Sequence, residues 1–471
     1  MREDAPSMQP KNGGKCPMNT IKIDFAQKTH APKAVNAVNN GPICNQGVVD
    51  LSRHYKALNI PAVRLHDTDG ANSRFLVDVS RIFPYFDADE NDEKNYFFGP
   101  TDKLLKAIHA LGAETVYRFG ESIDHDKDAG WFATPPKDFE KWARICVNII
   151  RHYNDGWANG LHLNIKYWEI WNEGEGINEH GIRCNWRNGT VEQLFDLYKV
   201  ASRKLKAYDP KLQIGGMAFC GYNEALEDFL PFCKENELPL DFLSYHGYDK
   251  YIADLERVAY RVRAKLDEFG FSETKVFFDE WNYVGFERDV PGDIWMNIRN
   301  DDTPELCQEL HVNQMSEVGG AYVAAAMIRM NELPIDMAYY YDGQCISNWC
   351  GLFNSYAIPQ KPYYSFKAYG DIYANCPTLV KAECEIPDFY ALGAEGDAFK
   401  GIMITSLRGH GDYLDLELKN LGQGRKKLEL YITDKDRNMH LDHVEYFTGE
   451  EVRKSLKLAT YAIAYLKVYS E

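Results

Sequence analysis

The stretch Tyr167-Trp168-Glu169-Ile170-Trp171 is a short, largely apolar run that ends at the polar pair Asn172-Glu173. A run of this length, bounded by polar residues, is typical of a buried β-strand. A segment with helical spacing follows, and Thr190 with Gln193 forms a capping box, which is a start signal for an α-helix. The stretch therefore predicts one β-strand followed by one α-helix.

This strand–helix pattern repeats along most of the chain, because seven other short apolar runs are also followed by helical spacing. The eight runs are Ala34–Val38, Ala62–His66, Thr115–Phe119, Tyr167–Trp171, Gln213–Met217, Phe242–His246, Val276–Glu280 and Asp336–Tyr341. Eight such repeats predict an α/β fold, a (β/α)8 TIM barrel with parallel strands. A doubly wound sheet is the alternative, although that fold rarely uses so many regular repeats.

The remaining segments predict a second, smaller domain. Residues 1–17 have no periodicity and predict a flexible N-terminal arm, whereas residues 18–29 contain an alternating run that predicts a strand. The barrel is expected to occupy residues 30–372. Residues 373–471 contain alternating runs such as Tyr413–Leu418, which predict an appended C-terminal β-sandwich domain that the strand of residues 18–29 joins.

Charge and cysteine content exclude several classes of partner. The formal net charge of −17 disfavours nucleic acid and anionic membranes. The eleven cysteines include no Cys-x-x-Cys pair, and the chain has no signal-peptide pattern and no run long enough to span a bilayer. A cytoplasmic protein with reduced thiols is therefore expected. A homo-oligomer is compatible with the sequence, which gives no indication of its order.

Two glutamates at predicted strand ends indicate a chemistry. Glu173 follows the fourth strand and Glu280 ends the seventh, and these strands lie on roughly opposite sides of an eight-stranded ring. Glycoside hydrolysis uses two carboxyl groups that flank the scissile bond. A single glutamate at a strand end is more often an ordinary salt-bridged or surface residue. The pair at one barrel mouth favours catalysis, and the chain has no metalloprotease, Walker or Gly-x-Ser-x-Gly motif, so no metal and no cofactor is expected.

The motifs around both glutamates resemble those of a known group. Tyr167–Gly174 is similar to the acid/base motif of clan A glycoside hydrolases, and Phe277–Asn282 is similar to their nucleophile motif. Within the clan the resemblance is strongest to family 39, which includes β-xylosidases and α-L-iduronidases, because Ala37–Pro42 and Arg64–His66 look like its first two strand segments. The Asp-Glu-Trp-Asn sequence of residues 279–282 makes family 51, with its arabinofuranosidases, the second candidate.

The resemblance implies a retaining glycoside hydrolase that works by double displacement through a covalent glycosyl–enzyme intermediate. Glu173 would be the acid/base and Glu280 the nucleophile. An exo-acting β-xylosidase with an oligosaccharide or glycoside substrate ranks first. The alternatives are an α-L-arabinofuranosidase, another β-glycosidase, or a carbohydrate-binding barrel without catalysis.

Further site residues follow from the same resemblance. Asn172 would bind the sugar hydroxyl next to the reacting carbon, and His66 and His246 would bind other hydroxyls. Tyr248 would hydrogen-bond the nucleophile, and Arg64 would either enter the pocket or stabilise the charge of Glu280. Stacking walls would come from three aromatic residues for which core packing is the competing explanation, namely Trp281, Tyr341 and Trp349.

The sequence departs from the family pattern directly after the acid/base. Family 39 xylosidases commonly have Pro-Asn there, whereas this chain has Gly174-Glu175-Gly176. We expect Glu175 either to alter contacts with the leaving group or to face solvent. The long segment Tyr283–Asp302, which contains Trp295, is expected to cover the pocket.

Overall fold

The computed structural model describes residues 20–44, 47–68, 76–122, 133–177, 183, 185–286, 304–345, 351–407 and 413–471. The strands of its first part are β1 (Thr20–Lys28), β2 (Ala34–Asn39), β3 (Ile43–Cys44), β4 (Val49–Asp50), β5 (Ala62–Leu65), β6 (Glu114–Phe119), β7 (Tyr167–Ile170), β8 (Gln213–Phe219), β9 (Phe242–Asp249), β10 (Lys275–Tyr283) and β11 (Met337–Tyr340). Eight of them, β2 and β5 to β11, form a closed barrel of parallel strands in chain order. The predicted (β/α)8 barrel is confirmed, with one strand in each of the eight predicted runs.

Helices cover the outside of the barrel. Those within the described ranges are α1 (Ser52–Ala57), α2 (Val79–Ile82), α3 (Gly99–Ala110), α4 (Phe139–Asp155), α5 (Val191–Tyr208), α6 (Glu224–Glu235), α7 (Ile252–Glu268), α8 (Pro304–Met315), α9 (Glu317–Met330) and α10 (Lys361–Asn375). The capping box predicted at the start of α5 is present, since Thr190 and Gln193 each accept a hydrogen bond from the other's backbone N–H. None of the described helices has both the length and the apolar character that a membrane crossing requires.

An apolar layer fills the interior of the barrel. Its buried members come from six strands and combine small and large side chains, namely Ala37, Ala62, Val116, Phe242, Phe277 and Tyr339. The rings of Phe242 and Phe277 stack with centroids 4.5 Å apart. Because this layer fills the interior, the barrel is a packed core rather than a channel, and polar side chains collect at the C-terminal ends of the strands.

The C-terminal strands form a second sheet. They are β12 (Thr378–Cys384), β13 (Phe389–Glu395), β14 (Lys400–Ser406), β15 (Tyr413–Lys419), β16 (Arg425–Thr433), β17 (His440–Thr448), β18 (Val452–Lys457) and β19 (Ile463–Ser470). Strand β1 lies between β12 and β15, so nine strands make one continuous sheet. The sheet curls over its own apolar core, which includes Ile21, Ile23 and Leu416. The predicted second β-domain is confirmed as a fold, and its boundaries remain a prediction.

Two helices join the barrel to this sheet. Helix α9 is buried along most of its length and is rich in glycine and alanine, as in Gly319–Ala321. Such small residues let neighbouring backbones approach closely. The hydroxyl of Ser365 in α10 donates to the carbonyl of Gly320 at 2.7 Å, and the hydroxyl of Tyr465 in β19 donates to Asp371 of α10 at 2.8 Å.

The close contact between helix α10 and the backbone of Leu58 can be tested by substitution of a glycine. A Cβ atom at Gly370 would lie 2.0 Å from the carbonyl oxygen of Leu58, whereas a Cβ at Gly99 in α3 would meet nothing within 4 Å. We expect Gly370→Ala to destabilise the protein by about 1–3 kcal/mol through overpacking, although alanine is the better helix former. Gly99→Ala is the matched control and should leave the thermal midpoint unchanged or raise it. Equal midpoints for the two variants would contradict the packing described.

Candidate active site

The C-terminal ends of the barrel strands bring the two predicted glutamates to one mouth. Strand β10 lies beside β9 in a register that pairs Glu280 with His246 and Asn282 with Tyr248. Glu173 stands three residues after the end of β7. One carboxylate oxygen of Glu173, one of Glu280 and one ring nitrogen of His246 all lie within 4.8 Å of one another. The three groups therefore form a single cluster.

Glu280 is held firmly from two sides. Arg64 donates to its Oε1 at 2.8 Å, and the hydroxyl of Tyr248 donates to its Oε2 at 2.7 Å. Its side chain is only 6% exposed. Two donors, one of them charged, stabilise a carboxylate in its ionised form and fix its orientation.

Glu173 has a different environment. Its side chain is 22% exposed, and its Oε1 lies 2.6 Å from Nδ1 of His246. The residue adopts a left-handed backbone with φ of 50°, and its N–H donates to the carbonyl of Ala218, which is also left-handed at 50°. This conformation is unfavourable for a residue with a side chain and persists only when its surroundings enforce it, a situation found most often at functional sites.

His246 lies between the two carboxylates and is buried. Burial lowers its pKa, but the negative charges of Glu280, Glu173 and Asp279 outweigh burial and raise the pKa to about 9. With both glutamates ionised, the ring is therefore a cation at neutral pH, and its Nδ1 donates to Glu173. The cluster of Glu173, His246 and Glu280 also has the spacing of a metal site, and among the described residues it is the group that could hold an ion.

Arg64 lies below the two glutamates and is fully buried. Its Nε is 2.7 Å from Glu169 and 3.0 Å from Asp279. Burial lowers its pKa, but the charges of Asp279, Glu169 and Glu280 raise the pKa well above its ordinary value. Burial raises the pKa of Asp279, whereas Arg64 outweighs burial at Glu169 and lowers the pKa of that carboxyl.

Glu169 and Asp279 were not predicted as site residues. Glu169 carries a visible signal, since it is a charged residue in the middle of an otherwise apolar barrel strand. Such a residue must find an opposite charge inside the barrel. Asn39 at the end of β2 was also missed, and its Oδ1 accepts from Arg64 at 3.1 Å.

Asn172 and His66 complete the polar floor of the mouth. Asn172 accepts from Nη2 of Arg64 at 2.5 Å, while its buried Nδ2 has no hydrogen-bond partner among the residues that the structure describes. The Nδ1 of His66 accepts from Arg118 at 3.2 Å, and its Nε2 lies 3.9 Å from Glu280. Burial, followed by the charge of Arg118, lowers the pKa of His66 well below its ordinary value, so the ring is neutral.

The predicted stacking residues have separate locations. Tyr341 lies at the mouth, where its hydroxyl donates to Asp67 at 2.8 Å and its ring stands edge-on to Tyr248 at 6.5 Å. Trp281 is 1% exposed and packs in the main core with its ring edge-on to Tyr340, so the structure does not bring it to the mouth. Trp349 lies outside the described residues, as do residues 287–303, which contain most of the predicted covering segment.

Comparisons with known proteins find relatives of this chain. Residues 86–291 match the model described as glycosyl hydrolases family 39, and this range contains both Glu173 and Glu280. A β-xylosidase of Geobacillus stearothermophilus is 38% identical over 183 residues, which cover 37% of this chain and 34% of the relative. A β-xylosidase of Caldicellulosiruptor saccharolyticus is 25% identical over 287 residues, which cover 55% of this chain and 49% of the relative. The matched regions thus span between one third and one half of these curated relatives.

A solved structure is similar over nearly the whole chain. The crystal structure of a glucosidase from Croceicoccus marinus superposes with a TM-score of 0.75 at 18% identity, covering 96% of this chain and 99% of the other. At this identity the likeness concerns the fold, including both the barrel and the curled sheet. Residues 86–291 are thus similar to glycosyl hydrolases family 39, and the solved glucosidase shares the fold of nearly the whole chain.

Proposed function

We propose that this chain is a retaining glycoside hydrolase that cleaves glycosidic bonds by double displacement. The observation that carries the proposal is the spacing of Glu173 and Glu280, whose nearest carboxylate oxygens are within 4.8 Å. Retaining enzymes hold their two carboxyl groups about 5–5.5 Å apart, whereas inverting enzymes need about 6.5–9.5 Å to admit a water molecule. The spacing supports direct attack by one carboxylate on the sugar.

The different environments of the two glutamates support a division of roles. Glu280, buried and held by Arg64 and Tyr248, is the nucleophile that forms a bond to the anomeric carbon as the glycosidic C–O bond breaks. Glu173, the more exposed carboxyl, donates its proton to the leaving oxygen, which takes the electron pair of the broken bond. In the second step Glu173 removes a proton from water, the water oxygen attacks the anomeric carbon, and Glu280 is released.

His246 and Arg64 supply positive charge where it is needed. The His246 cation lies 2.6 Å from Glu173 and 3.4 Å from Glu280. It therefore stabilises Glu173 after that residue has given up its proton, and stabilises the nucleophile before attack. Arg64 performs the second task from the opposite side of Glu280, to which it donates a hydrogen bond at 2.8 Å.

The sugar is proposed from the family relatives and from Asn172. Both curated relatives are named β-xylosidases, so exo-acting hydrolysis of β-D-xylosides ranks first. The unpartnered Nδ2 of Asn172 is a donor for the hydroxyl next to the reacting carbon. α-L-Arabinofuranosides and other β-glycosides are the alternative substrates. A carbohydrate-binding barrel without catalysis is disfavoured, because simple binding needs neither the close carboxylate pair nor the cation between its members.

Removal of the proposed nucleophile tests the mechanism. We expect Glu280→Ala to lower turnover of nitrophenyl β-D-xyloside by at least about 10³-fold, because the covalent intermediate can no longer form. Azide should restore activity and yield a glycosyl azide of inverted configuration. The exposed residue Glu235 provides the control, and Glu235→Ala should behave like the unmodified protein. Full activity of Glu280→Ala without azide would reject the assignment.

The charge of His246 predicts a pH dependence of stability. Its pKa rises from 6.5 to about 9 on folding, so folding favours the protonated ring. The resulting stabilisation, at most about 3 kcal/mol, is fully present below pH 6.5 and is lost as the pH rises to about 9. Thermal midpoints of the unmodified protein should fall across this window, and His246→Gln should flatten the fall. The exposed His162→Gln variant should retain it, and a fall that persists in His246→Gln would contradict the assigned charge.

A further inference from the structure

Glu175 lies two residues after Glu173 and does not face solvent. It is 7% exposed, and burial, reinforced by the negative charge of Glu173, raises the pKa of its carboxyl. A buried carboxyl group is costly unless it is hydrogen-bonded. The burial of Glu175 therefore requires hydrogen bonds that offset the cost of removing its carboxyl group from water.

Those contacts come from the loop between β8 and α6. The Oε1 atom of Glu175 accepts hydrogen bonds from the backbone N–H of Cys220 at 2.7 Å and from Nδ2 of Asn223 at 2.8 Å. Asn223 also caps helix α6, since its side chain accepts from the N–H of Leu226 at 3.0 Å. One carboxylate oxygen thus joins the segment after β7 to the segment after β8.

The same two segments meet at Glu173. The N–H of Glu173 donates to the carbonyl of Ala218, and burial, followed by the negative charge of the nearby Glu173, raises the pKa of the Cys220 thiol. The sulfur of Cys220 also packs against Gly176, where an added Cβ would lie 2.8 Å from it. Movement of this loop would therefore move two groups that contact the acid/base.

Backbone strain indicates that the loop needs to be held. Ala218 has a φ of 50° and Gly221 a φ of 104°, and both values lie in the left-handed region. An alanine in this region persists only where its surroundings fix it. The two hydrogen bonds to Glu175 are contacts that fix the loop directly after Ala218.

We propose that Glu175 is a positioning residue for the acid/base, which acts by clamping the β8–α6 loop against the segment that carries Glu173. The inference rests on the proposed glycosidase function. Glu175 does not touch the reacting atoms. It determines where the Glu173 carboxyl and the Cys220 thiol stand relative to the departing oxygen of the leaving group.

This role has a chemical signature that a purely structural role lacks. Protonation by Glu173 matters in the first step only when the leaving oxygen is basic, because a strongly acidic phenol departs without a proton. A displaced acid/base should therefore slow cleavage of a phenyl glycoside and spare a 2,4-dinitrophenyl glycoside. General loss of the fold or of sugar binding would slow both equally.

Two variants of Glu175 distinguish the effect of its hydrogen bonds to the β8–α6 loop from the effect of its negative charge. Glu175→Ala removes the carboxylate oxygen that accepts hydrogen bonds from the N–H of Cys220 and from Nδ2 of Asn223. Glu175→Gln keeps an acceptor oxygen at the Oε1 position and replaces Oε2, a buried atom with no hydrogen-bond partner in the described parts of the chain. The matched control is Glu121→Gln, which alters a different buried carboxyl group, one held by Ser80 at 3.0 Å.

The experiment measures kcat/KM for phenyl and 2,4-dinitrophenyl β-D-xyloside. For Glu175→Ala we expect a loss on the order of 10- to 100-fold with the phenyl substrate and a change within about threefold with the dinitrophenyl substrate. Glu175→Gln should recover most of the phenyl activity, and Glu121→Gln should leave the ratio of the two substrates unchanged. Equal losses on both substrates, no loss, or no recovery by glutamine would overturn the inference. An unmodified protein that is inactive on both substrates would instead reject the proposed function.

Discussion

The guanidinium of Arg64 is buried beneath the mouth of the barrel, within 3.0 Å of carboxylate oxygens from Glu169, Asp279 and Glu280. A buried charge costs several kcal/mol unless close partners compensate for it. Each of these carboxyl groups is likewise too costly to bury without the cation. Each charged group of this cluster therefore depends on the others for its burial. Strands β5, β7 and β10, which carry these groups, must come together before any one of the charges has its partner.

The position of Glu280, the proposed nucleophile, depends on this cluster and on an irregularity in β10. Successive residues of a regular strand point to opposite faces, yet Asp279 and Glu280 both reach Arg64. The pairing of β10 with β9 shifts register between Phe278 and Glu280, as at a β-bulge. The extra residue turns Glu280 to the same side as Asp279, so that Asp279 anchors the cation and Glu280 faces the mouth of the barrel.

Much of this arrangement follows from local sequence, because short apolar runs and helix caps are local signals. The eight strands, the capping box at Thr190 and the positions of Glu173 and Glu280 at strand ends belong to this class. The bulge in β10 does not, since it depends on register against a neighbouring strand. Regular alternation from the inward-facing Phe277 would turn Glu280 outward and Trp281 inward, whereas the bulge turns Glu280 inward and Trp281 into the outer core. The burial of Glu175 was equally hidden, because its partners Cys220 and Asn223 lie in a different loop.

Direct attack of Glu280 on the sugar is tested without any variant by the stereochemistry of the product. Proton NMR recorded during the first minutes of β-D-xyloside hydrolysis distinguishes the two anomers before they interconvert. Two successive inversions at the anomeric carbon predict that β-xylose forms first. If α-xylose appears first, water rather than Glu280 is the nucleophile, and the 4.8 Å cluster does not carry out a double displacement.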